Sequence, residues 1–83
     1  MTNHAHDPEF ADRVRASFAK QHAMDLIHAT LPVVEPGLTE IHLPHWAGVE
    51  QQHGFVHGGV VGMIADSAAG YAAMTLVSAS ASV

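Results

Sequence analysis

Between Pro8 and Gln21 the apolar residues Phe10, Ala11, Val14 and Phe18 recur at three- and four-residue spacing, with Asp12, Arg13 and Lys20 between them. That period predicts an amphipathic helix, which can run on for a turn or two through Met24, Leu26 and Ile27. Asp7-Pro8 marks its start, an acid at the cap followed by proline at the first helical position. The texture then changes. In HATLPVVEPGLTEIHLP two apolar-alternating runs, about 29 to 35 and 38 to 43, flank the turn signal Glu35-Pro36-Gly37 and read as a β-hairpin. Leu38, Glu40 and His42 share one face of the second strand, and Thr39, Ile41 and Leu43 the other. Pro32 has no N–H for a ladder, so the first strand is irregular or lies at an edge.

Residues 45 to 56 read as a loop rich in Gly, Gln and His. From Gly58 the pattern is helical again but has no polar side. Val60, Val61, Ile64, Ala68, Tyr71, Ala72 and Leu76 share one broad surface, while Met63, Ala65, Ala69, Ala73 and Met74 fill the other. A helix apolar all round is a buried helix, and its many Gly and Ala residues imply close approach by other backbone. After Val77, SASASV reads as a turn into a strand that has barely begun. Two complete strands do not suffice to wrap such a helix. The chain therefore reads as the front part of an α+β domain, with residues 1–28 an amphipathic helical region and 29–83 the hairpin, loop, central helix and start of a third strand.

Length sharpens this picture, since 83 residues make one small domain in which a single core is marginal. Help from a second subunit fits that size. There is no Cys, which excludes disulfides, thiolate zinc sites and thiol nucleophiles. Arg13, Arg15 and Lys20 are the only basic side chains and the formal charge is -5, so a nucleic-acid surface is not expected. The start, MTNHAHDPEF, lacks the basic and then apolar pattern of a signal peptide, and the expected location is cytoplasmic. Residues 55 to 83 are apolar enough to raise a membrane span, but Asp66, the glycines and the lack of flanking Lys or Arg weigh against it.

Asp66 is the single acid between Gln51 and Val77, a stretch with no Lys or Arg to pair it. Such an acid either takes a hydrogen bond from Ser, Tyr or backbone, or works as a base or nucleophile. His57-Gly58-Gly59 falls where the helix begins. Helix starts present unpaired N–H groups and a positive dipole end, so the Gly58 and Gly59 amides are candidate donors to a polarised carbonyl, or else the glycines serve only a tight turn. Asp66 lies eight residues beyond Gly58, about 12 Å along a helix. One carbonyl does not reach both within one helix. If both act on one bond, Asp66 of one chain faces Gly58 of another across an antiparallel helix pair, which makes an obligate dimer with two shared sites.

The eight histidines raise a metal site. His53 and His57 are four apart and His42 and His45 three apart, ligand spacings on a helix face. Gly54, Phe55 and Pro44 argue that neither pair is helical, and no metal or other cofactor is expected. A helix-start role for His57, its ring bonded to the neighbouring loop, fits better. Met24, Met63 and Met74 read as core fillers. Trp46 either covers the core or lips a pocket. Ser67 has no G-x-S-x-G around it, so a serine triad is not expected.

The block QQHGFVHGGVVGMIADSAAGYAA, with HGG followed at this interval by an acid and small residues after a Gln-containing loop, resembles the central motif of hotdog-fold acyl-CoA thioesterases of the phenylacetic-acid-degradation (PaaI-like) type. The resemblance covers about residues 10 to 83. It implies a long central helix wrapped by a curved antiparallel sheet, with sites between the subunits of a homodimer or dimer of dimers. By position, Asp66 matches the carboxylate that acts as general base on water or as nucleophile, and Gly58 the helix-start glycine whose amide polarises the thioester carbonyl. His57 matches the histidine that shapes the site, Gly59 follows it in the substrate-binding turn, and Gln51 stands where relatives carry Asn or Gln near the thioester. Further strands that relatives use would fall after Val83, and Gly70 stands where some relatives carry Ser. The implied activity is hydrolysis of acyl- or aroyl-CoA. The alternative is a non-catalytic acyl-binding or dimerisation module, or an inactive fragment.

Overall fold

A computed structural model of the chain describes residues 7–77. His4, His6 and the strand expected from SASASV lie outside them. Asp7 does start the first helix, through a turn rather than from the cap position. Its carboxylate accepts the Glu9 N–H at 3.0 Å and its carbonyl the Phe10 N–H at 3.1 Å. The helix α1 then spans Phe10–Ala19. It does not run on through Met24. Gln21 turns to an extended ψ of 96°, and a separate short helix, α2, covers His22–Leu26. His28, at φ 65°, reverses the chain into the first strand.

The hairpin forms as the alternation predicts. Strand β1 (Thr30–Glu35) pairs antiparallel with β2 (Leu38–His42) in the register Glu35 to Leu38, Val34 to Thr39, Val33 to Glu40. Gly37 at the turn has φ 78°, a conformation that glycine adopts without strain. The register slips between Thr30 and Val33, around Pro32. Arg15 Nη1 donates to the Leu31 carbonyl at 2.6 Å beside that irregularity. Thr39 faces inward and is buried, and Leu38, Glu40 and His42 face out.

The long helix α3 spans Gly58–Met74 and crosses β2 and α1. Two buried threonines hold the hairpin to it. Thr39 Oγ1 donates to the Ala68 carbonyl at 2.6 Å, and Thr75 Oγ1 accepts the Gly37 N–H at 2.7 Å while donating to the Ala72 carbonyl at 2.6 Å. At the same end Arg13 Nη2 donates to the Met74 and Val77 carbonyls at 3.0 and 3.1 Å, placing a cation where the helix dipole is negative. Arg13 also pairs with Asp7, Nε to Oδ2 3.3 Å. So α1 closes the C-terminal end of α3.

The core has two parts. Val14, Leu31 and Tyr71 join α1, β1 and α3, and Met24, Ile27, Ala29 and Val49 join α2 to the loop before α3. Val14 and Met24 are almost wholly enclosed, each contributing about 1.5–3 kcal/mol of transfer free energy. The expectation of a helix covered on every side needs correction for the described chain. Only Tyr71 of α3 is buried, and Val61, Gly62, Ala65, Asp66, Ala69 and Ala73 are exposed. The hairpin and α1 cover one side, and two strands reach no further. Among the described residues no helix is long and apolar enough to cross a membrane.

Candidate functional site

The loop before α3 is a clasp that sets where the helix begins. Glu50 bridges Val56, the Gln51 N–H reaches the Phe55 carbonyl at 2.8 Å, and the His57 N–H reaches the Val49 carbonyl at 2.8 Å. Gly54 turns the tip at φ 84°. A short 3₁₀ turn, Ala47–Val49, precedes it. Trp46 lies across this turn, its Nε1 donating to the Ile27 carbonyl at 3.0 Å and its ring stacked on His28 at 4.2 Å. A Cβ on Gly48 would sit 2.1 Å from the indole, so only glycine fits beneath it. Trp46 is therefore a cover for the core rather than a lip of the cavity.

His57 is the N-cap of α3, in extended backbone at φ -61° and ψ 130°, and its Nδ1 accepts the Gly59 N–H at 2.8 Å. The ring thus bonds the helix itself and not the neighbouring loop. This bond requires Nδ1 to carry no proton. It engages one of the four orphan amides of the helix start, and Gly59 donates elsewhere only if the ring lets go. The Gly58 N–H has no acceptor among the described residues. Beside this end lies a cavity of about 400 Å³ whose walls include Val49, Glu50, His57, Gly59, Val60 and Met63.

Asp66 is exposed, on a different concavity. A groove of about 210 Å³ runs between α3 and the α1–α2 junction, lined by Gln21, Asp66, Ser67, Gly70, Tyr71 and Met74. Tyr71 is only 5% exposed, and its hydroxyl meets Gln21 Nε2 at 2.5 Å and Ser17 Oγ at 3.1 Å. Among the described residues no histidine lines the groove, and Ser67 has no triad partner there. Within one chain the Gly58 amide, at the helix start, and the Asp66 carboxylate, on the groove, stand apart by a helix rise of about 12 Å.

Gln51 stays in the clasp, where its Oε1 accepts the His53 N–H. Of the histidines whose spacing raised a metal, His42 meets Glu40 at 3.1 Å and His45 meets Glu50 at 2.7 Å, while His57 caps the helix through Gly59. Among the described residues no three His, Asp or Glu side chains gather as metal ligands. Sequence reasoning missed Gln21 and counted Tyr71 only as apolar surface. Their meeting joins residues 50 positions apart, and no local signal marks it.

No family model and no curated protein matches the chain. Among solved structures, the crystal structure of a thioesterase family protein from Silicibacter pomeroyi superposes with a TM-score of 0.80 at 42% sequence identity. The match covers 83% of this chain and 51% of that one, so the chain spans about half the length of the protein it resembles. The helix, the two-stranded antiparallel sheet and this likeness together make an N-terminal portion of a hotdog fold. The match does not distinguish the phenylacetic-acid-degradation type from other thioesterases. In sequence and in fold, the chain is a hotdog-type relative of the thioesterase family.

Proposed function

We propose that the protein hydrolyses acyl- or aroyl-CoA thioesters in the manner of the PaaI-like type, at two sites shared between the subunits of a dimer. Asp66 of one subunit takes the proton of a water as the water oxygen attacks the thioester carbonyl carbon, or attacks that carbon itself. The Gly58 N–H of the other subunit donates to the oxygen, which carries the negative charge of the tetrahedral intermediate. On the general-base route the C–S bond then breaks and the proton held by Asp66 goes to the departing CoA sulfur. On the nucleophilic route the C–S bond breaks with CoA leaving as thiolate. A water then hydrolyses the acyl–Asp66 anhydride, freeing the carboxylate and the acid and yielding the proton that the thiolate takes. His57 orients the helix start, and Gln51, at the clasp beside it, contacts the thioester or the water. The cytoplasm, where acyl-CoA is made and used, is the proposed location.

The observation that carries this reading is the pairing of vacant chemistry on one helix. The Gly58 amide has no acceptor among the described residues, Asp66 is exposed about half the helix length away, and the α3 face between them is small and uncovered. A twin helix laid antiparallel brings each Asp66 to a Gly58 and covers that face. The experiment is hydrolysis of a panel of acyl-CoAs by Asp66→Asn and Asp66→Ala in the complete protein. General acid–base groups contribute about 10²–10⁴-fold, so a loss of that size is expected. Activity within about tenfold of the parent sinks the proposal. Binding of CoA thioesters by the parent without turnover would favour the non-catalytic module.

A further inference from the structure

The cavity beside the helix start has one acid among the described residues of its wall, Glu50, which shares that wall with His57 and Gly59. A carboxylate is attracted to open amides at the positive end of a helix dipole, and the Gly58 N–H is such an amide. Glu50 is nevertheless turned to another partner. Its Oε2 meets His45 Nε2 at 2.7 Å, and the same nitrogen meets the Gly54 carbonyl at 3.1 Å. An ionised carboxylate and a carbonyl only accept, so Nε2 carries a proton in either charge state of the ring and donates to both. His45 thus ties the Glu50 side chain to the tip of the clasp. The Glu50 backbone is held separately, by its bridge to Val56. Among the described residues the imidazole is the one partner of the Glu50 carboxylate.

We propose that His45 is a positioning residue for this site: it holds the Glu50 carboxylate off the helix start and so keeps the Gly58 amide open to substrate. This rests on the thioesterase reading above. A released Glu50, tethered to the clasp that leads into Gly58, is an internal competitor for the N–H that the thioester oxygen needs, at the high effective concentration of a tethered group. The two side chains are 58% and 31% exposed, so their pairing adds little to stability. What it sets is the direction of the acid. His45 touches no substrate in this account and acts only through Glu50.

The test measures kcat/KM of the complete protein on the acyl-CoA that the parent hydrolyses fastest. His45→Ala should lose about tenfold, in the range of what a carboxylate gains at a helix start. Glu50→Ala removes the competitor, so His45→Ala combined with Glu50→Ala should regain the level of Glu50→Ala alone. His45→Gln, whose amide carries two N–H donors for the same two acceptors, should keep most of the parental value. Parental activity in His45→Ala would overturn the proposal. A double variant no better than His45→Ala would also overturn it, leaving His45 as a plain prop of the clasp. The Gly58 amide gives a readout that needs no turnover: in nuclear magnetic resonance its proton should move downfield and exchange more slowly in His45→Ala, and return in the double variant. If the parent hydrolyses no acyl-CoA, the thioesterase reading fails and this signature alone decides for His45. A Gly58 amide unchanged in His45→Ala overturns the assignment in either case.

Discussion

His57 Nδ1 accepts the Gly59 N–H at 2.8 Å and leaves the neighbouring Gly58 N–H without an acceptor among the described residues. The cap thus selects which amide of the helix start is open to a ligand. His57→Ala removes it and should cost about 1 kcal/mol, within the 0.5–2 kcal/mol typical of lost N-caps. His57→Asn, whose side-chain oxygen takes the same place, should recover most of it. Urea unfolding of the three proteins measures this, and an Ala variant as stable as the parent would remove the cap from the account.

Thr75 offers a stronger test of the fold. Its hydroxyl is fully buried and sits between the Gly37 N–H and the Ala72 carbonyl. Thr75→Val keeps the shape and strands both groups, so destabilisation of about 1–3 kcal/mol is expected. Thr39→Val, which releases only the Ala68 carbonyl, should cost less. The order of the two unfolding midpoints is the measurement.

Arg13 caps α3 from a distance of 61 positions in the chain. Arg13→Met retains much of the aliphatic stem and loses the bonds to the Met74 and Val77 carbonyls and the pair with Asp7. A loss of about 1–2 kcal/mol is expected, with hydrogen exchange quickening first in the last turn of α3.

Gly62 and Gly70 lie on α3 with open space where a Cβ would be. Gly62→Ala should raise the stability of an isolated subunit by about 0.5–1 kcal/mol through helix propensity. If a second α3 packs on this face, the same change should weaken self-association in sedimentation, because the added methyl holds the backbones apart. Stronger association would speak against the antiparallel helix pair.

The starts of α1 and α3 and the hairpin turn were legible because their signals are local: Asp7 bonding Glu9, His57 capping Gly59, Gly37 at positive φ. The slip at Pro32 was legible for the same reason, since a missing N–H acts where it stands. What stayed hidden depends on distant partners. The break at Gln21 faces Tyr71 across 50 residues, and the 3₁₀ turn at Ala47 lies under an indole held by Ile27. At the site, Gly58 and Asp66 come from the motif and stay a proposal, and the apolar pattern of α3 did not reveal that one side lies bare in the described chain. Periodicity reports that a face needs cover, not which chain provides it.

The central claim is that Asp66 and Gly58 act together from different subunits, and subunit mixing tests it most directly. Asp66→Asn removes the base. Gly58→Pro removes the amide proton with little strain, because Gly58 is the first helical position and His57 before it already has the extended backbone that proline favours. Each variant alone should be inactive. Unfolded and refolded together, they should regain about a quarter of parental activity, since about half of the random dimers are mixed and each mixed dimer carries one intact site of its two. Two variants that stay as inactive together as apart would contradict the shared site.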